Sequence, residues 1–216
     1  MSDQINTTVP SLISKERMLK LELLINLTSN LTQPLVLCGP EGIGKTTLLK
    51  VFQERKVESW RYCPVLGSAD LSFETIQGQL ARFIKQDNTD TPVNSLPMVF
   101  EQYQNQNKQI VLIIDNAGEL VTGLITMIIR YAKANPALRV IFALTQDELQ
   151  VKQRSDRAVD DCHIVEIPCL SKKQCGDFLQ YLATKPTVEG SVKASAPRQL
   201  LHALLYLLHP CSRAHD

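Results

Sequence analysis

Gly39-Pro40-Glu41-Gly42-Ile43-Gly44-Lys45-Thr46-Thr47 follows directly on the short apolar run Leu35-Val36-Leu37-Cys38. Three glycines, a lysine and two hydroxyls at this spacing are suited to holding phosphate. Gly39, Gly42 and Gly44 allow left-handed and closely approaching backbone, so that successive N–H groups converge on a concave anion site. Pro40, Glu41 and Ile43 complete the loop between them. A helix beginning here would add the positive end of its dipole at the same point. Lys45 can reach the β- and γ-phosphates of a nucleotide, and the Thr46 hydroxyl is placed to ligate a Mg²⁺ ion bridging them. Thr47 is a further hydroxyl, either at the α-phosphate or simply on the first helical turn.

Such a metal needs a carboxylate, delivered from the C-terminal tip of a neighbouring strand, where ligands collect in open α/β sheets. The continuous apolar run Ile110-Val111-Leu112-Ile113-Ile114 closes on Asp115, as expected of a central parallel strand covered on both faces. Asp115 is therefore the candidate second metal ligand. Asn116 stands beside it; an amide can orient water but cannot accept its proton at a useful pKa. Glu119, one turn later, reads either as a substitute base or as an ordinary carboxylate at the positive end of a helix.

The elements that must position these groups alternate. An apolar helix over residues 15–29 ends near Asn30 to Pro34, and the 35–38 strand leads through the loop into a helix from about Lys45 to Arg55. A strand at 60–65, a turn at 67–70 and a helix over about 72–85 come next, the helix carrying Phe73, Ile76, Leu80 and Phe83 on one face. Residues 86–97 form a loop-rich connection, and 98–107 a short helix. The strand 109–115 precedes a helix at about 120–134, a strand at 138–144, a polar helix or loop at 146–160 and a strand at 163–167. This is the pattern of a three-layer α/β/α sandwich around a mainly parallel five-stranded sheet. The strand–helix pair at 60–85 lies between the phosphate loop and the acidic strand. That order fits the P-loop ATPases with an additional central strand rather than the kinase and GTPase branch.

A chain of 216 residues with 44% hydrophobic content supports one substantial core and a small appendage, not two large domains. Lys and Arg number 23 against 22 Asp and Glu, a net charge of +1 without like-charge runs, which gives no footprint for nucleic acid or anionic lipid. No secretory signal pattern opens the chain, and its longest apolar runs are too short to cross a bilayer. The six cysteines lack a CxxC pair or a zinc-finger histidine spacing, so a reduced, cytoplasmic protein with unpaired thiols is expected. No GxSxG elbow or convincing nucleophile accompanies the four histidines, which argues against serine or cysteine hydrolase chemistry. Asp160-Asp161 before Cys162-His163 reads as a solvated pair of acids rather than a metal site. Trp60 and Tyr62 beside Arg61 read as core or sheet surface rather than a base-stacking platform.

In these residues the chain resembles the AAA+ ATPases, specifically the group around the secretion ATPase ExeA, the transposition protein TniB and the nucleotide domain of the envelope protein DamX. Gly39 to Leu49 and Val111 to Ala117 are similar to the two nucleotide motifs. Ala143-Leu144-Thr145-Gln146-Asp147-Glu148-Leu149 is similar to the family's sensor-1 strand end, which implies that Thr145 or Gln146 reads the γ-phosphate. Ile167 to Ser171 resembles the start of a C-terminal helical lid, and Ala196-Pro197-Arg198 the start of its sensor-2 helix, which would make Arg198 a nucleotide contact. Residues 1–14, polar and β-branched without a period, read as a flexible arm, and the resemblance, which covers roughly residues 15–208, implies a P-loop domain at 15–168 and a lid at 169–216. It implies ATP and Mg²⁺ as cofactors, with Lys45, Asp115, Asn116 and Arg198 about the reacting phosphate. It also implies protein partners: a homo-oligomer or a membrane-associated envelope, secretion or division machinery. Arg154 or Arg157 would be the arginine given to a neighbouring subunit, if neither is merely solvated. The family's acidic strand ends Asp-Glu; Asn116 in the second place predicts slow or partner-dependent hydrolysis.

Overall fold

A computed structural model describes residues 15–85 and 96–169. The chain divides into two compact units, residues 20–167 forming one and residues 1–19 with 168–216 the other. The first contains the site.

Its centre is a five-stranded sheet of order β2-β3-β4-β1-β5, where β1 is Leu35–Cys38, β2 Trp60–Leu66, β3 Gln109–Asp115, β4 Leu138–Leu144 and β5 His163–Glu166. Every neighbouring pair is parallel. Sequence explains the order. The three interior strands read LVLC, QIVLIID and LRVIFAL, with both faces buried, whereas β2 and β5 alternate buried and exposed positions as edge strands do. Pro64, which has no N–H to donate, falls on the edge strand β2, where its missing donor costs least. The expected five parallel strands and three-layer fold are present. β4 separates β1 from β3, so the acidic strand is not beside the phosphate loop strand.

The helices are α1 (Lys15–Asn30), α2 (Lys45–Glu54), α3 (Phe73–Lys85), α4 (Leu96–Asn105), α5 (Leu124–Ala134) and α6 (Gln146–Ser155). Leu48, Leu49 and Phe52 are the buried face of α2, and Phe52 packs with Trp60 and Tyr62 in a three-ring cluster with centroids 5.5 to 6.0 Å apart. Trp60 and Tyr62 therefore belong to the packing between α2 and β2. On α3, Ile76 and Leu80 are fully buried while Phe73 and Phe83 flank the core. α1 is less uniform than its composition suggests: Leu21, Leu24 and Thr28 face inward, whereas Leu19 and Leu23 are exposed. Its C-terminal turn is met by the buried Arg139 of β4, whose Nε donates to the Thr28 carbonyl at 3.3 Å.

Three expected boundaries shift. α4 begins two residues earlier than the 98–107 reading, with Leu96 buried. After β3 the chain makes a short 3-10 turn at Ala117–Glu119, and α5 starts only at Leu124 because Gly123, with φ of 89°, breaks the path. The polar stretch 146–160 is a helix to Ser155 and then a 3-10 turn at Arg157–Asp161. Within it Arg154 and Arg157 are exposed, but Lys152 and Asp156 are not solvated as the composition suggests: they are 6% and 1% exposed.

Candidate nucleotide site

β1 is fully buried between β4 and β5, so the chain leaving Cys38 emerges in the middle of the C-terminal edge of the sheet. Gly39 passes close under β5: a Cβ there would lie 3.0 Å from the Ile167 carbonyl oxygen. Gly42 and Gly44 have φ of 71° and 96°, the left-handed region that glycine enters without steric cost. Gly44 is the residue before α2 and offers no capping side chain, so the first N–H groups of the helix are left for an external acceptor. The Lys45 ammonium folds back over the loop, donating to the carbonyls of Gly39 at 2.9 Å and Pro40 at 3.0 Å. Burial lowers the pKa of Lys45 below its ordinary value, and the charge of Glu148 is the largest influence opposing that shift.

Thr46 and Asp115 meet across the tip of β4. The Thr46 hydroxyl donates to Oδ2 of Asp115 at 2.6 Å, and Oδ1 of Asp115 accepts the Asn116 N–H at 3.0 Å. Asn116 is itself left-handed, with φ of 60° and ψ of 36°. The end of β2 holds this corner from the other side: the Gly67 N–H donates to the Asp115 carbonyl at 2.7 Å.

A cavity of about 600 Å³ opens between these elements. Glu41, Gly42, Gly44, Lys45 and Thr46 line one side, and Asp115, Asn116, Glu119, Ala143, Thr145 and Glu148 the other. Thr145, one of two alternatives at the tip of β4, lines the cavity, whereas Gln146 begins α6 as an exposed residue outside the lining. Pro40, Ile43 and Thr47 support the loop without lining the cavity; Ile43 is buried and Thr47 exposed. Arg198 lies outside the described residues, as does the whole expected lid beyond Cys169.

Glu148 is the lining residue that sequence reasoning left without a role. It closes a capping box at the start of α6: the Thr145 N–H donates to its carboxylate at 2.7 Å, and its own N–H donates to the Thr145 hydroxyl at 3.2 Å. Thr-x-x-Glu at 145–148 was the available signal. Its carboxylate also fills the space that a side chain at Gly118 would take.

The lining combines one ammonium group with four carboxyl side chains and two hydroxyls. Among the described residues no group of three or more His, Cys, Asp or Glu is arranged to enclose a metal. A divalent cation would therefore take Thr46 and Asp115 on one side and complete its shell from ligand oxygens and water, as Mg²⁺ does at phosphates. None of the described helices is long and apolar enough to cross a membrane.

Comparison with known proteins agrees with this architecture. The structure of Cdc6p from Pyrobaculum aerophilum superposes with a TM-score of 0.56 at 21% identity, over 79% of this chain and 51% of that one. The ADP form of the ORC2 protein of Aeropyrum pernix gives 0.55 at 15% identity, over 77% and 50%. The S. cerevisiae Hsp104:casein complex gives 0.52 at 19% identity, over 77% and 29%. These are likenesses of fold, and this chain spans about half the length of the first two structures. No curated protein sequence matches it. The family profile described as AAA domain matches residues 30–152, more than half of the chain, taking in the phosphate loop, Asp115 and Thr145. The chain belongs to the AAA domain family and has the AAA+ P-loop ATPase fold.

Proposed function

We propose that the chain binds ATP with Mg²⁺ in the cavity between the 39–47 loop and the tips of β3 and β4, hydrolyses it slowly or only with a partner, and uses nucleotide state to assemble a larger machinery. The observation that carries this reading is the convergence of an uncapped helix N-terminus, the Lys45 ammonium and the Thr46–Asp115 pair on one cavity. In it Gly39 to Gly44 cradle the phosphates with backbone N–H groups, Lys45 leaves the Gly39 and Pro40 carbonyls for phosphate oxygens, and Thr46 and Asp115 hold the metal. Mg²⁺ there would offset phosphate charge that four neighbouring carboxyl groups would otherwise repel. Thr145 contacts the γ-phosphate and Asn116 orients water without taking its proton. A lid at 169–216 contributes Arg198, and Arg154 or Arg157 is offered to a neighbouring subunit. The closer affiliation with the ExeA, TniB and DamX group, and with it a cytoplasmic protein recruited to the membrane by envelope, secretion or division partners, is part of this reading. Lys45→Ala tests it: ATP binding and any turnover should be lost, and tight ATP binding by that variant would refute it.

A second reading, a nucleotide-gated scaffold that does not hydrolyse, is favoured by one observation: Asn116 stands where a water-activating glutamate is expected. Phosphate release by the parent protein and by an Asn116→Glu variant separates the two.

A further inference from the structure

Helix α6 starts at the tip of β4 and runs alongside the segment that follows Asp115. Glu148 and Lys152 lie one turn apart on one face of α6, Asp156 follows one turn further as the residue that caps its C-terminal end, and each meets that segment. The Glu148 carboxylate occupies the space beside Gly118. Lys152, 6% exposed, donates its ammonium proton to the Leu120 carbonyl. Asp156, 1% exposed, accepts through Oδ1 from the Gly123 N–H at 2.8 Å, the Thr126 hydroxyl at 3.0 Å and the Thr126 N–H at 3.4 Å. It thereby caps the N-terminus of α5 from a different element, where Gly123 has no side chain to do so. The upper end of the face is joined to the cavity, because Glu148 and Thr145 form one capping box. The lower contacts hold the turn that carries Asn116 and Glu119, whose own backbone bonds, Glu119 N–H to the Asn116 carbonyl at 3.1 Å and Leu120 N–H to Ala117 at 3.3 Å, close only a short 3-10 turn.

Polar side chains are seldom buried as Lys152 and Asp156 are unless their hydrogen bonds are met, and here those bonds go mainly to residues 120–126: Lys152 to the Leu120 carbonyl, and Asp156 Oδ1 to the Gly123 and Thr126 N–H groups and the Thr126 hydroxyl, while Ser155 donates to Asp156 Oδ2 at 3.3 Å. We propose that Glu148, Lys152 and Asp156 are positioning residues that fix the Asp115–Glu119 wall of the cavity to its Thr145 wall, so that a ligand group touching Thr145 also sets the placement of Asn116. The proposal rests on the nucleotide reading above, and it deepens it: the two walls tell ATP from ADP together, not separately.

The test measures ATP and ADP affinity in the presence of Mg²⁺, with melting temperature, for the full chain and for Lys152→Met, Asp156→Ala and Asp156→Asn. The amide of Asn keeps an acceptor oxygen where Oδ1 stands, so Asp156→Asn is the conservative rescue. The expected result is ADP affinity within twofold of the parent in all variants. ATP affinity should fall fivefold or more in Lys152→Met and Asp156→Ala, and recover in Asp156→Asn. Lower melting temperature with an unchanged ratio of ATP to ADP affinity would make the contacts merely structural and overturn the proposal. Should Asp156→Ala not fold, Lys152→Met decides in the same way. A parent that binds neither nucleotide refutes the nucleotide reading instead. Amide exchange at Gly123 and Thr126 then isolates the fixed contact itself: exchange in Asp156→Asn as slow as in the parent, but faster in Asp156→Ala, is expected, and equal rates in all three would remove it.

Discussion

The Thr46 hydroxyl donates a 2.6 Å hydrogen bond to Oδ2 of Asp115, a residue 69 positions further along the chain. Two oxygens brought this close at the rim of a cavity, on different elements, are ready to share a cation once the proton between them is turned aside. The expected outcome is that Mg²⁺ tightens ATP binding to the parent protein by at least about tenfold, or ~1.4 kcal/mol. In Asp115→Ala affinity should be the same with the metal and with a chelator. Titrations under both conditions check this, and a variant that still responds to Mg²⁺ would separate the Thr46–Asp115 contact from metal binding.

Two glycines give opposite predictions. Gly67 stands against the Asp115 corner, where a Cβ would lie 2.5 Å from the Asn116 carbonyl oxygen and 3.0 Å from that of Asp115. Those are backbone atoms and cannot swing away, so Gly67→Ala should cost about 1–3 kcal/mol through overpacking. It should also weaken nucleotide binding by moving Asp115. Gly78, inside α3, has no atom within 4 Å of its would-be Cβ. Gly78→Ala should therefore stabilise the fold by about 0.5–1 kcal/mol, because alanine restricts the unfolded chain and favours helix. Denaturant midpoints of the two variants would move in opposite directions; equal shifts would mean the crowding at Gly67 is relieved by backbone movement.

How much of this could be read from the chain depended on how local the cause was. β1, β3 and β4 are bounded as their apolar runs suggest, because interior parallel strands are apolar at every position and the signal needs no knowledge of neighbours. The phosphate loop is similarly local: its glycines at φ of 71° and 96° are needed by the loop itself. α5 starts four residues later than its apolar pattern predicts because a left-handed Gly123 and a cap supplied by Asp156, 33 positions away, decide it. The burial of Lys152 and Asp156 is hidden from the sequence for the same reason. Their composition is that of a polar surface helix, and their burial depends on partners far along the chain, Leu120 for Lys152 and Gly123 and Thr126 for Asp156.

Burial also predicts a loss of stability in alkali. Cys63, on β2 and 3% exposed, has its pKa pushed up to about 11 by burial. Between an ordinary thiol value and that point the unfolded chain gives up a proton that the folded chain keeps, so stability is intact below about pH 9 and declines as pH rises toward 11. The single group contributes at most ~3 kcal/mol across that window. Cys63→Ala should therefore flatten the dependence of unfolding free energy on pH between about 9 and 11, apart from a uniform loss from the missing sulfur. Unfolding curves at several pH values decide this, and parallel profiles for parent and variant would exclude Cys63 as a cause.

Asn116 joins a conformational requirement to a chemical one, and substitutions can separate them. Its backbone is left-handed at φ of 60°, which Asn and Asp tolerate through local hydrogen bonding, Gly without cost, and Glu only at about 1 kcal/mol or more. Asn116→Gly should leave stability nearly unchanged and, lacking any group to orient water, should not raise phosphate release. Asn116→Glu should lose about 1 kcal/mol of stability, yet a carboxylate beside Asp115 can accept the proton that an amide cannot. Since a placed general base is worth about 10²–10⁴ in rate, turnover at saturating ATP should rise at least tenfold. Asn116→Asp keeps the backbone preference and adds a shorter carboxylate, so it should be stable and show a smaller rise. Phosphate release and thermal unfolding on the same preparations test all three. A rise in the order Gly, Asp, Glu would identify proton acceptance as the step this chain leaves weak, whereas flat turnover in folded, ATP-binding variants would favour the scaffold reading, in which binding itself is the signal.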